Sequence, residues 1–190
     1  MKDRIKEIFA ESVKVKEATL KDNLNAIEQT VNEITAAFKK NGKVLFFGNG
    51  GSAADSQHIA AEFIGRFQKE RRSLPAIALT TDTSALTALG NDYGFDIVFA
   101  RQIEGLGQKG DIAVGISTSG RSKNVIAGLK AAKKLGLRTI SLTGCGGGEI
   151  AALSDIKLVV PSDVTARIQE SHICIAHTIC ELVEKNFIGA

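Results

Sequence analysis

The chain has 190 residues, of which 44% are hydrophobic and 24% are charged, and its formal net charge is +3. This composition excludes an intrinsically disordered protein, and the length suits a single domain over residues 1–190. Charges of both signs alternate and tryptophan is absent, which argues against a nucleic-acid-binding surface. The densest basic stretch, Lys69, Arg71 and Arg72, is interpreted as a solvated loop or helix end.

The cysteines indicate a reducing compartment. There are three of them, Cys145, Cys174 and Cys180, and their spacing fits neither a disulfide framework nor a CxxC site. No signal peptide is recognised before the first helix, and no apolar run is long enough to span a bilayer. We therefore expect a cytoplasmic protein.

Residues 1 to about 40 are predicted to form one long helix. Its apolar residues recur at alternating intervals of four and three, which is the seam of a coiled coil. They are Leu20, Leu24, Ile27, Val31, Ile34 and Phe38. Such a seam needs a partner surface, on its own domain or on another subunit. We expect residues 1–40 to be a helical oligomerisation segment attached to a core over residues 41–190.

The core alternates short apolar runs with helical patterns. The runs predicted as strands are 43–48, 74–80, 111–118, 138–144 and 156–161. A helical pattern such as 122–136 separates them, and a last helix is expected to begin at the N-cap residues Ser162–Asp163. Strands that alternate with helices predict an α/β fold, with five parallel strands covered on both faces and a long helix at each chain end.

Polar loops follow the first and third strands, and each leads directly into a helix. Ligands of such sheets bind beyond the carboxyl ends of the strands, where helix N-termini attract anions. The first loop, Asn49-Gly50-Gly51-Ser52, has neither the GxGxxG spacing nor a Walker lysine, so both a plain turn and a ligand loop remain open. A glycine-rich segment at 144–148 is interpreted as a turn.

The loop after the third strand, STSGRS, is richer in hydroxyl groups. Four of its six residues carry one, namely Ser117, Thr118, Ser119 and Ser122. That is more than N-capping requires, so the loop is predicted to bind phosphate.

Histidine and carboxylate side chains follow the first loop. His58 and Glu62 are four residues apart, on one face of a helix. The pair suits a metal site, an acid–base pair or a surface hydrogen bond. The C-terminal helix adds Gln169 and His177, separated by about 80° around the axis. Two adjoining helices would thus bring four ligands together. A further histidine there, His172, is interpreted as a packed residue.

At these residues the chain resembles a known family. The stretches FGNGGSAADSQHIAAEF, ALGNDYGF, GISTSGRSKNV and ARIQESHICIAHTICELVE are similar to the sedoheptulose 7-phosphate isomerases of the sugar isomerase (SIS) domain superfamily. The STSG loop marks the superfamily, whereas GNGGSAADSQHxxxE together with RIQExHxxxxH is far narrower. The resemblance covers nearly the whole chain.

The resemblance implies a three-layer α/β/α fold and a homotetramer with active sites between subunits. It implies conversion of sedoheptulose 7-phosphate to D-glycero-D-manno-heptose 7-phosphate, an early step toward nucleotide-activated heptose for lipopolysaccharide or surface glycans. It also implies one zinc ion per subunit, held by His58, Glu62, Gln169 and His177. Such an isomerisation needs a base and an acid–base group, for which Glu62 and His177 are the candidates. Glu62 either serves zinc and substrate in turn, or zinc is mainly structural.

The resemblance also implies a set of substrate contacts, two of which are metal ligands as well. They are Asn49, Gly50, Gly51, Ser52, Glu62, Asn91, Asp92, Ser117, Thr118, Ser119, Ser122 and Gln169. Two alternatives stay open. One is a non-catalytic SIS-domain tetramer that binds the bacterial replication initiator protein. The other is a different SIS enzyme acting on aminosugar phosphates.

Overall fold

A computed structural model describes residues 1–189. Within that range the helices are α1 (Lys2–Lys39), α2 (Gly51–Ile64), α3 (Thr83–Tyr93), α4 (Val98–Leu106), α5 (Lys123–Lys134), α6 (Gly148–Leu153) and α7 (Thr165–Glu184), with a short 3-10 turn at Phe95–Ile97. The strands are β1 (Val44–Gly48), β2 (Ala76–Ala78), β3 (Ile112–Ser117), β4 (Arg138–Thr143) and β5 (Ile156–Val159). The predicted α/β alternation is confirmed.

The five strands form one parallel sheet in the order β2-β1-β3-β4-β5. Alternate residues of β1 enter different cores because side chains of a strand point to opposite faces. Val44 and Phe46 pack with α1, α2 and α7 on one face, whereas Leu45 and Phe47 pack with α4 and α5 on the other. The implied three-layer α/β/α fold is therefore confirmed.

The seam of α1 divides into two parts. From Ile27 to Phe38 its apolar residues are buried in the core of their own chain. By contrast, Leu20 and Leu24 are 56% and 59% exposed. The large apolar residues of α1 that remain exposed therefore all precede Ile27.

The start of α7 differs from the prediction. The helix begins at Thr165, and its N-cap is Val164, which provides no side-chain hydrogen bond. The hydroxyl of Ser162 instead accepts the N–H of Val164 at 3.1 Å. The predicted N-cap at Ser162–Asp163 was wrong, because Ser162 closes a turn before α7 and does not bind the first turn of the helix.

His172 confirms its interpretation as a packed histidine. It lies buried in α7, and its Nε2 is 3.1 Å from the carbonyl oxygen of Thr143 at the end of β4. Burial lowers the pKa of His172 to about 4, although the hydrogen bond opposes part of that shift. The imidazole is therefore neutral in the folded chain near pH 7.

Replacing His172 with glutamine is expected to flatten the dependence of stability on pH. Between the folded pKa of about 4 and the ordinary value of 6.5, the unfolded chain binds a proton that the folded chain excludes. Wild type therefore loses stability as the pH falls through this window, by about 2 kcal/mol between about pH 7 and about pH 5. Urea unfolding of both proteins with EDTA present measures the difference. Equal pH slopes would contradict the prediction.

All three cysteines are free thiols within residues 1–189. In the same range, no helix combines the length and the apolar character needed to cross a membrane.

Candidate active site

The first and third strands are neighbours in the sheet, and the strand order reverses between them. In open parallel sheets the ligand crevice lies at such a switch point, outside the carboxyl ends of the strands. The loop after β1 starts α2 there, and the loop after β3 starts α5. Both polar loops found in the sequence therefore border one crevice.

The hydroxyl loop after β3 is ordered by its own side chains. The Ser117 hydroxyl lies 2.9 Å from the Ser122 hydroxyl and 3.4 Å from that of Ser119. The Ser119 oxygen also accepts the N–H of Arg121 at 3.3 Å. Three hydroxyl groups thus cluster in front of α5, where free N–H groups attract an anion.

The two loops are joined by a reciprocal amide pair. Asn49 donates to Asn124 at 2.9 Å, and Asn124 donates back to Asn49 at 2.8 Å. Asn124 is buried at the start of α5. It was not among the predicted site residues, although it stands in the same motif, GISTSGRSKNV.

The glycine-rich segment 144–148 does more than turn the chain. This segment and the start of α6 pack on the hydroxyl loop. The Gly144 N–H donates to Thr118 O, and the Ile150 N–H in α6 donates to Gly120 O, both at 3.1 Å. A Cβ on Gly148 would lie 2.5 Å from the Gly120 oxygen. The close approach of the two loops therefore requires glycine on both sides.

Three predicted metal ligands converge where α2 meets α7. His58 Nε2 lies 2.9 Å from His177 Nε2 and 3.3 Å from Glu62 Oε1. The donor atoms of the three side chains all lie within 4.8 Å of one another. The sequence placed His58 and Glu62 on one helix face, and the fold adds His177 from 119 residues further along the chain. This cluster can hold a metal ion.

Gln169, the fourth predicted ligand, lies on the glycine corner. Its amide nitrogen occupies the space that a Cβ on Gly51 would need. Gly51 is the first residue of α2, and the neighbouring Ser52 is buried. The glycine corner thus lets an amide from α7 reach the N-terminus of α2.

Comparisons with known proteins show the family of this chain. The SIS domain family model matches residues 7–144. The phosphoheptose isomerase of Aquifex aeolicus is 57% identical over 185 residues, which are 97% of each chain. That of Sulfurimonas denitrificans is 53% identical over all of this chain and 98% of its own. The solved phosphoheptose isomerase of Neisseria gonorrhoeae superposes with a TM-score of 0.92 at 48% identity, covering 97% of this chain and 98% of its own.

This chain belongs to the phosphoheptose isomerases. It is an isomerase enzyme with the SIS domain fold. The relatives give no support to the alternative of a non-catalytic tetramer that binds the replication initiator.

Two of the predicted substrate contacts, Asn91 and Asp92, are not among the clustered side chains. They are exposed near the end of α3, and the Asn91 amide donates to the Asp92 carboxylate at 2.9 Å. In the described part of the chain, neither residue makes another side-chain hydrogen bond. Within the described residues, neither side chain makes a hydrogen bond to the predicted metal ligands.

Asp55 lies near His58 and His177, and the sequence analysis did not single it out. One of its carboxylate oxygens is buried without a hydrogen-bond partner among the described residues. Burial raises the pKa of Asp55, while the nearby His58 and His177 oppose part of that rise. Asp55 precedes His58 by three residues, so helical spacing was the signal that could have found it.

The solvated interpretation of Lys69, Arg71 and Arg72 was wrong for Arg71. The Arg71 and Glu184 side chains are 1% and 2% exposed, and Arg71 Nε lies 3.4 Å from Glu184 Oε1. Charged residues next to one another in sequence usually face solvent. Nothing in the sequence indicates that the fold supplies Arg71 with a buried carboxylate from the far end of the chain.

Proposed function

We propose that this chain interconverts sedoheptulose 7-phosphate and D-glycero-D-manno-heptose 7-phosphate. The product would enter the synthesis of nucleotide-activated heptose for lipopolysaccharide core or surface glycans. The observation that carries the proposal is the convergence of His58, Glu62 and His177 in a chain of the phosphoheptose isomerase family.

The reaction moves a proton between C1 and C2 of the sugar through an ene-diol. It requires a base over the two carbons and an acid–base group at their oxygens. In our proposal Glu62 is the base, and His177 transfers the proton on the oxygen side or assists ring opening. The side chains of His58 and Glu62 are partly exposed, so a substrate can reach them.

The phosphate end of the substrate would lie in the hydroxyl loop. Ser117, Thr118, Ser119 and Ser122 would donate hydrogen bonds to it, together with the N-terminus of α5. Asn49, Gly50, Gly51, Ser52 and Gln169 would contact the sugar from the glycine corner. Anchoring the phosphate in this way orients C1 and C2 toward Glu62.

We further propose that one zinc ion per subunit binds to His58, Glu62, Gln169 and His177. Nitrogen and oxygen donors bound to one tetrahedral zinc at about 2.0–2.1 Å lie about 3.3 Å apart. The 2.9 Å and 3.3 Å separations from His58 to His177 and Glu62 are near that value and support zinc. Zinc held by these residues would supply Lewis acidity toward the substrate carbonyl.

We propose a homotetramer assembled through the exposed apolar residues of α1 that precede Ile27. A groove of about 820 Å³ between α1 and α7 is lined by Leu20, Leu24, Cys174 and Leu182. Exposed apolar surface of this kind marks a protein interface. Exposed Asn91 and Asp92 would then complete the site of a neighbouring subunit. Light scattering tests the assembly, and a monomeric mass would contradict it.

The proposed location is the cytoplasm. The support is the three free thiols, which fit a reducing compartment.

The test of the function is turnover of sedoheptulose 7-phosphate together with the zinc content of the purified chain. We expect stoichiometric zinc and formation of the heptose phosphate. Absence of turnover by a folded, zinc-loaded protein would refute the proposal. A panel with aminosugar phosphates as substrates separates it from other SIS enzymes.

A further inference from the structure

A buried ion pair lies between the segment that follows α2 and the end of α7, and these two helices carry the proposed metal ligands. Arg71 follows α2 in the chain, and Glu184 is the last residue of α7. Both side chains are almost completely buried, as described above. Such pairs are weak stabilisers because removing both charges from water is costly. The presence of this buried pair therefore favours a role in positioning the two helices over a role in stabilising the fold.

Arg71 binds the end of α2 that carries Glu62. Its Nη2 donates to the carbonyl oxygen of Glu62 at 2.8 Å. Its Nη1 donates to the carbonyl oxygens of Phe63 and Gly65, both at 2.8 Å. These are carbonyls that a helix end leaves without intrahelical partners, and a cation there is favoured by the helix dipole. The backbone of the proposed base is thus held by the Arg71 guanidinium.

Glu184 binds the loop that follows α2. Its carboxylate accepts three successive N–H groups, from Phe67 at 2.8 Å, Gln68 at 2.8 Å and Lys69 at 2.9 Å. Although burial opposes its charge, these bonds and Arg71 hold the pKa of Glu184 below its ordinary value. The loop is therefore fixed to α7 by a charged acceptor.

The contacts of Arg71 and those of Glu184 both involve residues at the proposed metal cluster. The ring of Phe67, whose N–H binds Glu184, lies against the ring of His177 with centroids 5.4 Å apart. Glu184 is seven residues after His177 in α7, which places it two turns away on nearly the same face. Arg71 holds the Glu62 backbone, and Glu184 holds the loop that packs on His177.

We propose that Arg71 and Glu184 are positioning residues that set the separation of Glu62 and His177 for metal binding. Partners of metal ligands typically change metal affinity by about 10- to 100-fold when replaced. The proposal rests on the metal site of the proposed function.

The test is Zn²⁺ and Co²⁺ affinity of the chelator-stripped chain, measured by competition with a chromophoric chelator. Glu184→Gln is expected to weaken both affinities by about 10- to 100-fold and to alter the visible absorption of bound Co²⁺. The matched control is Glu181→Gln, on the same helix and in an exposed pair with Lys185. The control should bind as wild type does.

Phe67→Leu keeps the buried pair and removes the ring from His177. Phe67 is only partly buried, so this variant is expected to fold even where Glu184→Gln does not. We expect a several-fold loss of metal affinity, and wild-type affinity in folded Phe67→Leu or Glu184→Gln would overturn the inference. If wild type itself binds neither ion, the proposed metal site fails as well. If wild type binds and the variants equal it, only the positioning role fails.

Discussion

Replacing Glu62 with glutamine is expected to lower kcat by about 10²–10⁴-fold. The amide has nearly the shape of the carboxylate but cannot accept the proton taken from the sugar carbon. Glu62 also belongs to the proposed metal cluster, where its Oε1 lies 3.3 Å from His58 Nε2. The same substitution therefore changes a proposed metal ligand. Steady-state turnover of sedoheptulose 7-phosphate measures the loss. Glu104→Gln is the matched control, because Glu104 is an exposed residue paired with Arg101.

The two roles of Glu62 are separable by adding metal. If it were only a ligand, saturating zinc would restore turnover to Glu62→Gln. As the base, its replacement leaves turnover low even when zinc is bound, and exchange of the sugar C–H with solvent deuterium is lost as well. Recovery of turnover in saturating zinc would contradict our assignment.

Replacing Gly120 with alanine is expected to raise KM by about 10²-fold. Gly120 has a φ of +65°, and a Cβ there would lie 2.5 Å from the carbonyl carbon of Gly147. Because the obstruction is backbone, the hydroxyl loop must move away from the 144–148 segment. Ser117, Ser119 and Ser122 would then no longer meet the phosphate together. KM for the substrate and the inhibition constant of inorganic phosphate should rise in parallel.

Gly146→Ala is the control for this prediction. Gly146 has a similar φ of +72°, yet a Cβ there would have nothing within 4 Å. Both variants carry the strain of a positive φ, but only Gly120→Ala separates the loops. A folded Gly120→Ala with the KM of the control would show that the contact between the loops does not position the phosphate.

Local sequence was sufficient for the five strands and for half of the proposed metal site. The short apolar run of β1 favours a strand buried on both faces, and the two cores that it enters confirm this. His58 and Glu62 lie one helical turn apart, so their common face follows from helix geometry alone. The hydroxyl loop was readable because it stands where a strand ends and a helix begins.

Only the tertiary structure decided what meets those residues. The 2.9 Å approach of His177 to His58, the placement of Gln169 on Gly51 and the burial of Arg71 with Glu184 all join segments more than 100 residues apart. The tertiary structure also decided the seam of α1. Its apolar pattern is regular, yet one part is buried in the core, whereas Leu20 and Leu24 are exposed. A periodic pattern determines which face of a helix is apolar. It carries no information on which distant surface covers that face, because the sheet order and the packing of α1 against α7 are properties of the whole chain.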